Sequence, residues 1–286
     1  MIDVLTYYND RMLALKQRIQ QHSKTPSLLI ITDDSNDAGR SYIKSKTTAC
    51  QSVGIFADTM KVNPNVFVDE HTLYNYMEMF ADSIRKYDGV IVQHPFGNLD
   101  WGNFVAFVMA YVADHQDVDG LLPYTKHAPC TPLGIVRLID HLISQGEAYD
   151  RFIIVGKGRM IGRPLNDLLI KKFNEDSNYK DCKIEVLDSK TTPQQFAEIL
   201  KTVDGDTCVI CATPVHNIVT SDNINYAGTY IDCGCNLVGG KLLGNVSRDC
   251  YNETAKITPV PNGVGKLTVL SLLENVVDAF EAKHKE

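Results

Sequence analysis

Short apolar runs alternate with helix-length periods along nearly the whole 286-residue chain. The runs are SLLIITDD (27–34), IFADTMKV (55–62), GVIVQH (89–94), RFIIVG (151–156), KIEVLD (183–188), DTCVICA (206–212), TYIDCG (229–234) and KITPV (256–260). Between them, apolar residues at helical spacing predict helices over 41–52, 69–84, 103–114, 132–145, 162–174, 193–203 and 265–284. Thr131-Pro132 and Thr192-Pro193 each set a capping hydroxyl before a proline at the first helical position. Strands separated by helices form parallel sheets whose two faces are both covered, so the fold class is α/β. The strand count suits two sheets better than one. The break falls near the helix 132–145, because the polar stretch QGEAYD (145–150) launches a fresh strand.

Bulk composition narrows the function. A formal net charge of -7 and a pI near 5.6 argue against a nucleic-acid binder, with a local basic spot left at Lys157, Arg159 and Arg163. No run approaches the roughly 18 apolar residues of a membrane helix. The start, MIDVLTYYNDRM, carries an acid at Asp3 and no apolar core, unlike a signal peptide. A cytoplasmic protein is expected. Cysteines at Cys208-x-x-Cys211 and Cys233-x-Cys235 invite a zinc reading. Yet DTCVICAT reads as a buried strand, where positions i and i+3 face opposite ways. Reduced core cysteines and no metal are expected.

The stretch IIVGKGRMIGRP (153–164) sets Gly156, Gly158 and Gly162 between a buried strand and a helix, with Lys157, Arg159 and Arg163 among them. Glycines let a backbone approach a pyrophosphate, and a helix N-terminus offers N–H groups and about half a positive charge. The spacing is one residue longer than the dinucleotide fingerprint, but the strand–turn–helix context supports a nucleotide cradle. The next strand ends at Asp188, where an acid favours a ribose diol and hence NAD. Ser189, Lys190 and Lys157 favour a 2′-phosphate. NADP is the expectation, with NAD as the alternative.

In SYIKSK, Tyr42 and Lys46 stand four apart on one helix face. A Tyr-x-x-x-Lys pair also marks short-chain dehydrogenases, but there the glycine loop precedes the pair and here it follows. Gln93 ends a strand, where ligands of parallel sheets gather, and His94-Pro95 follow it. Asp119 before Gly120 is a carboxylate in a tight turn, able to accept paired N–H bonds from an aminopyrimidine or simply to close an Asx turn.

Several distant motifs answer to one family. Tyr42-x-x-x-Lys46, VQHP (92–95), DVDG (117–120), PCTPLGIV (129–136), VGKGRMIGRP (155–164) and ITPVPNGVGKLTVLSLLEN (257–275) stand in its order and spacing. The chain resembles the bifunctional methylenetetrahydrofolate dehydrogenase/methenyltetrahydrofolate cyclohydrolases over nearly its whole length. The resemblance implies an N-terminal α/β folate-binding catalytic domain (1–140 with the helix 267–286), a Rossmann-like NAD(P)-binding domain (141–266), an active-site cleft between them and a homodimer. It implies Lys46 as the catalytic amine with Tyr42 and Gln93 in support, and Asp119 holding the pterin. Pro261, Gly263, Val264 and Gly265 of the PNGVG turn would line the folate pocket. Gly156, Lys157, Gly158, Arg159, Ile161, Gly162, Asp188, Ser189, Lys190 and Thr213 would hold the cofactor.

The chain departs from the family's usual residues at His94 (leucine), Lys157 and Gly158 (arginine, serine), Asn262 (glycine) and Lys266 (proline). Lysine offers a 2′-phosphate a point charge and no fork. Asn262 tolerates the left-handed conformation its turn demands. The implied activity is oxidation of 5,10-methylenetetrahydrofolate with NADP and hydrolysis of the methenyl product to 10-formyltetrahydrofolate, in one-carbon metabolism and purine biosynthesis. The alternatives are a monofunctional NAD-dependent dehydrogenase and a non-catalytic folate- or nucleotide-binding regulator.

Overall fold

Parallel strands organise both halves of the chain. In the computed structural model, which describes residues 1–33, 40–62, 70–93, 111–122, 124–252 and 254–284, the first elements are α1 (Val4–Gln20), β1 (Ser27–Asp33), α2 (Arg40–Val53), β2 (Phe56–Val62), α3 (Glu70–Ile84) and β3 (Gly89–Val92). The strands form a sheet of order β2-β1-β3, all parallel. Then follow α4 (Cys130–Ser144), β4 (Arg151–Val155), α5 (Gly162–Glu175), β5 (Lys183–Leu187), α6 (Pro193–Lys201), β6 (Thr207–Cys211) and β7 (Thr229–Asp232). The chain continues through β8 (Asn236–Val238), β9 (Lys241–Leu243), β10 (Lys256–Ile257) and α7 (Val264–Lys283). The second sheet, β10-β7-β6-β4-β5, is parallel throughout, while β8 and β9 form a separate antiparallel hairpin.

Contacts divide the chain into two compact units. One holds Met1–Asn9 with Thr131–Thr268, the other Asp10–Cys130 with Val269–Glu286. In the first, alternate residues of one strand enter different cores. Phe152, Ile154, Cys208 and Ile210 join Ile135, Leu138, Leu165 and Leu169, whereas Ile153, Val155, Val209 and Cys211 join Leu200 and Val203. Covering both faces is why these strands read as unbroken apolar runs. Cys208 and Cys211 thus lie on opposite faces, as the strand reading requires. In the other unit, Leu28, Ile30 and Ile91 pack against α2 and the α7 residues Leu272, Leu273, Val276 and Val277, and Leu29, Ile31, Val90 and Val92 pack with Ile84.

Two expectations need correction, and a third falls mostly outside the described residues. The sequence reading named no helix before residue 27, yet α1 is there, its first turn capped by Asp3, whose carboxylate accepts from Thr6 N–H (3.0 Å) and Thr6 Oγ (2.6 Å). Thr192 caps α6 with a reciprocal Gln195 bond, but α4 begins at Cys130, and the Thr131 hydroxyl pairs with Thr268 Oγ1 at 2.9 Å instead of capping. The helix expected over 103–114 falls mostly outside the described residues, and 111–114 form a turn and bend. His94 also lies outside them.

Near the end of α7, Lys283 Nζ donates to the carbonyls of Arg85, Lys86 and Tyr87 (3.3, 3.1 and 2.9 Å), just past the C-terminus of α3. A cation there satisfies orphan carbonyls and opposes the negative helix end. Lys283→Met keeps the stem and removes the donors. It should cost about 1–2 kcal/mol, read as a lower urea midpoint at unchanged m-value.

Candidate active site

Gln93 follows directly on β3 and is 8% exposed. Its N–H donates to Ile31 O (2.8 Å), so its main chain still belongs to the sheet while the side chain projects beyond the strand end. The Gln93 Oε1 accepts from Lys46 Nζ at 2.8 Å. Lys46 sits on α2, half-buried, with Tyr42 one turn earlier and 50% exposed. Lys46 also acts on two buried thiols. Burial pushes Cys50 up to about 12 and Cys130 well above the ordinary thiol range, and the Lys46 charge works against both. Asp119 acts on Cys130 in the opposite sense.

Within DVDG, the two acids have different work. Asp117 is fully buried, and its carboxylate accepts from Gly120 N–H (3.2 Å) and Leu122 N–H (2.7 Å). Burial raises its pKa, and those N–H bonds pull the other way. Asp117 thus gathers the turn through the N–H groups three and five residues on. Asp119 is half-buried and its carbonyl accepts from Cys130 N–H at 3.3 Å.

The glycine loop leaves β4 beside the end of β5, with Gly156 N–H bonded to Leu187 O at 2.8 Å. Gly156 has φ +117°, and a Cβ on it would overlap the Ala212 carbonyl and crowd Thr213. A Cβ on Gly162 would overlap the Gly156 carbonyl, whereas one on Gly158 would meet open space. Gly156 and Gly162 shape the loop; Gly158 does not. Lys157, Arg159 and Met160 are exposed, Ile161 packs against the core, and no side chain caps α5. Asp188 is half-buried just past β5, its Oδ1 accepting from Lys190 N–H (2.9 Å), with Ser189 and Lys190 exposed beside it. A shallow groove along α6 is lined by Asp188, Lys190, Thr191 and Gln194.

Beyond β6 and β7 lies a device that reading the sequence did not single out. Asp232, 1% exposed, accepts from the N–H groups of Gly234 (2.8 Å), Asn245 (2.8 Å) and Val246 (2.9 Å). Burial raises its pKa against those three bonds. Asn245 Nδ2 then donates to Thr213 O (3.0 Å) and Val215 O (2.6 Å), which fixes the loop that carries Thr213. The available signal was an acid at the end of a buried strand followed by glycine.

In the PNGVG turn the Val260–Pro261 bond is cis, and Asn262 adopts φ +74°, the left-handed conformation expected of it. A Cβ on Gly263 would overlap Pro259 O, Val264 is buried, and Gly265 faces open space. Lys266 lies 5.1 Å over the Tyr8 ring, a cation–π contact.

Among known proteins, residues 4–119 match the model of the tetrahydrofolate dehydrogenase/cyclohydrolase catalytic domain. Residues 129–284 match the NAD(P)-binding domain of the same name. The bifunctional protein FolD of Methanospirillum hungatei is 31% identical over 278 residues, 94% of this chain and 92% of its own. Two solved structures share the fold. The bifunctional FolD dehydrogenase/cyclohydrolase of Campylobacter jejuni is 24% identical with TM-score 0.80, over 98% of both chains. The Trypanosoma brucei enzyme, solved with NADP and an inhibitor, is 22% identical with TM-score 0.82, covering 100% of this chain and 98% of its own.

The loop geometry predicts a sharp contrast between neighbouring glycines. Gly162→Ala should destabilise the protein by about 3 kcal/mol or more, because backbone must move to admit the methyl. Gly158→Ala should stay within about 1 kcal/mol of the parent. Thermal unfolding of the two variants in parallel checks this.

Proposed function

The chain belongs to the tetrahydrofolate dehydrogenase/cyclohydrolase family, and from that premise we propose how its own residues divide the two reactions. It oxidises 5,10-methylenetetrahydrofolate to the methenyl cation with NADP and hydrolyses that cation to 10-formyltetrahydrofolate. The observation that carries the residue assignment is the 2.8 Å bond from Lys46 to Gln93 at a strand's carboxyl end.

The residues around the glycine loop fit a dinucleotide. Gly156 and Gly162 leave no room for a Cβ because backbone packs against backbone there, which fixes the turn ahead of the α5 N-terminus, while Gly158 meets open space and Lys157 and Arg159 supply exposed cations. Thr213, held by Asn245, borders Gly156. NADP held there would supply the hydride acceptor for the methylene carbon of the folate. The protein contributes no acid or base to that step, because the flanking folate nitrogens stabilise the cation; it supplies placement. Asp119 accepts N–H bonds from the pterin, and Pro261, Gly263, Val264 and Gly265 line the folate pocket.

Hydrolysis adds water to the methenyl carbon, opens one C–N bond and releases one proton. Lys46 takes or relays that proton, Gln93 orients its amine, and Tyr42 stands beside it on the same helix face. Functionally, residues 1–140 with 267–286 serve the folate, and 141–266 serve the nucleotide apart from the PNGVG turn, which also lines the folate pocket. A cytoplasmic homodimer feeding purine biosynthesis completes the reading.

Lys46→Ala should cut methenyl hydrolysis by about 100-fold or more, the usual worth of a positioned proton-transfer group, while methylenetetrahydrofolate oxidation persists. Separate assays of methenyl decay and NADPH formation test this, and wild-type hydrolysis by the variant would remove the assignment. Removing the charge of Asp188 beside a 2′-phosphate should favour NADP. Asp188→Ala should therefore raise the NADP-to-NAD ratio of kcat/KM by about tenfold, corresponding to a repulsion of about 1–2 kcal/mol. Initial rates with both cofactors decide it.

A further inference from the structure

Asn275 lies on α7, is 3% exposed, and belongs to no part of the site described so far. Its Nδ2 donates to Val118 O at 2.9 Å and to Ala128 O at 3.3 Å, and stands 3.7 Å from Cys130 Sγ. A primary amide has two N–H donors, and both are committed to carbonyls on the two arms of one chain excursion. Between those arms sits Asp119. The arms are drawn together by Cys130, whose N–H donates to Asp119 O (3.3 Å) and whose thiol donates to Val118 O (3.2 Å). Gly120, at φ +74°, lies so close to the Pro129 backbone that a Cβ would not fit.

The Asp119 backbone thus has no ladder of its own. Its place is set by side chains: Asp117 gathers the N–H groups of the following turn, and Asn275 binds the carbonyls flanking the excursion. We propose that Asn275 is a positioning residue for folate binding, fixing the height and direction of the Asp119 carboxylate from a helix more than a hundred residues away in sequence. The proposal rests on the reading that Asp119 holds the pterin. Losing both donors would strip Ala128 O of this partner, leave Val118 O with only the weak donor of the Cys130 thiol, and let the arms separate.

The test compares Asn275→Ala, Asn275→Asp and Asp119→Asn with the parent. KM for methylenetetrahydrofolate, KM for NADP, kcat and amide exchange at Gly120 and Leu122 are measured for each. Asn275→Asp is close in shape but presents acceptors to acceptors. Both Asn275 variants should raise the folate KM by about tenfold, equivalent to about 1.4 kcal/mol, with kcat and the NADP KM within about twofold and faster exchange in the turn. A wild-type folate KM in Asn275→Asp, or equal rises in both KM values, overturns the proposal, since packing alone would then explain the residue. Asp119→Asn separates the two layers. If it leaves the folate KM unchanged, the reading of Asp119 falls; if it raises KM while the Asn275 variants do not, only the positioning role falls.

Discussion

A parallel sheet brings the carboxyl ends of its strands to one edge, and both units of this protein depend on that constraint. Each strand that ends there must hand its last polar groups to something other than a ladder. Gln93 shows the consequence in one residue. Its N–H still bonds to Ile31 on the neighbouring strand, while its side chain accepts the Lys46 ammonium. The amine therefore takes its bearing from a buried sheet (Leu28, Ile30 and Ile91 are all 0% exposed) and not from a loop. Rigid elements hold catalytic geometry more closely than loops do.

Beyond the strand ends, buried carboxylates take over where ladders stop. Asp117 and Asp232 sit in different units, yet each accepts backbone N–H groups from the segment that follows it. Burial pushes both upward from the ordinary carboxylate range, and the N–H bonds offset part of that cost. A buried N–H without a partner is expensive, so irregular chain can lie inside a protein only when a side chain serves it. Asp119 and Thr213, to which we assign the ligand contacts, are thereby held in place.

How much of this could be read from the sequence follows from the range of each interaction. Strands covered on both faces announce themselves as apolar runs, and Thr192-Pro193 announces a helix start, because both signals are local. The glycine loop was legible for the same reason, but the different packing of Gly158, where a Cβ would meet open space, was not. Other features are set by partners far along the chain. Helix α1 buries fully only Val4, Leu15 and Ile19, with polar residues between, so its period is faint. Thr131 carries a capping signature but is claimed by Thr268. The division of labour between Asp117 and Asp119 depends on which acid faces the turn, and Asn245 acts on a loop thirty-two residues back. Only coordinates disclose such pairings.

The central claim is that a primary amine at position 46 moves the proton released when water opens the methenyl ring. Chemical rescue tests it most directly. Adding small alkylamines to Lys46→Ala should restore methenyl hydrolysis in proportion to amine concentration, with efficiency following amine basicity and size. Hydrolysis that stays at the unrescued level across the amine series, in a variant that still oxidises methylenetetrahydrofolate, would contradict the account.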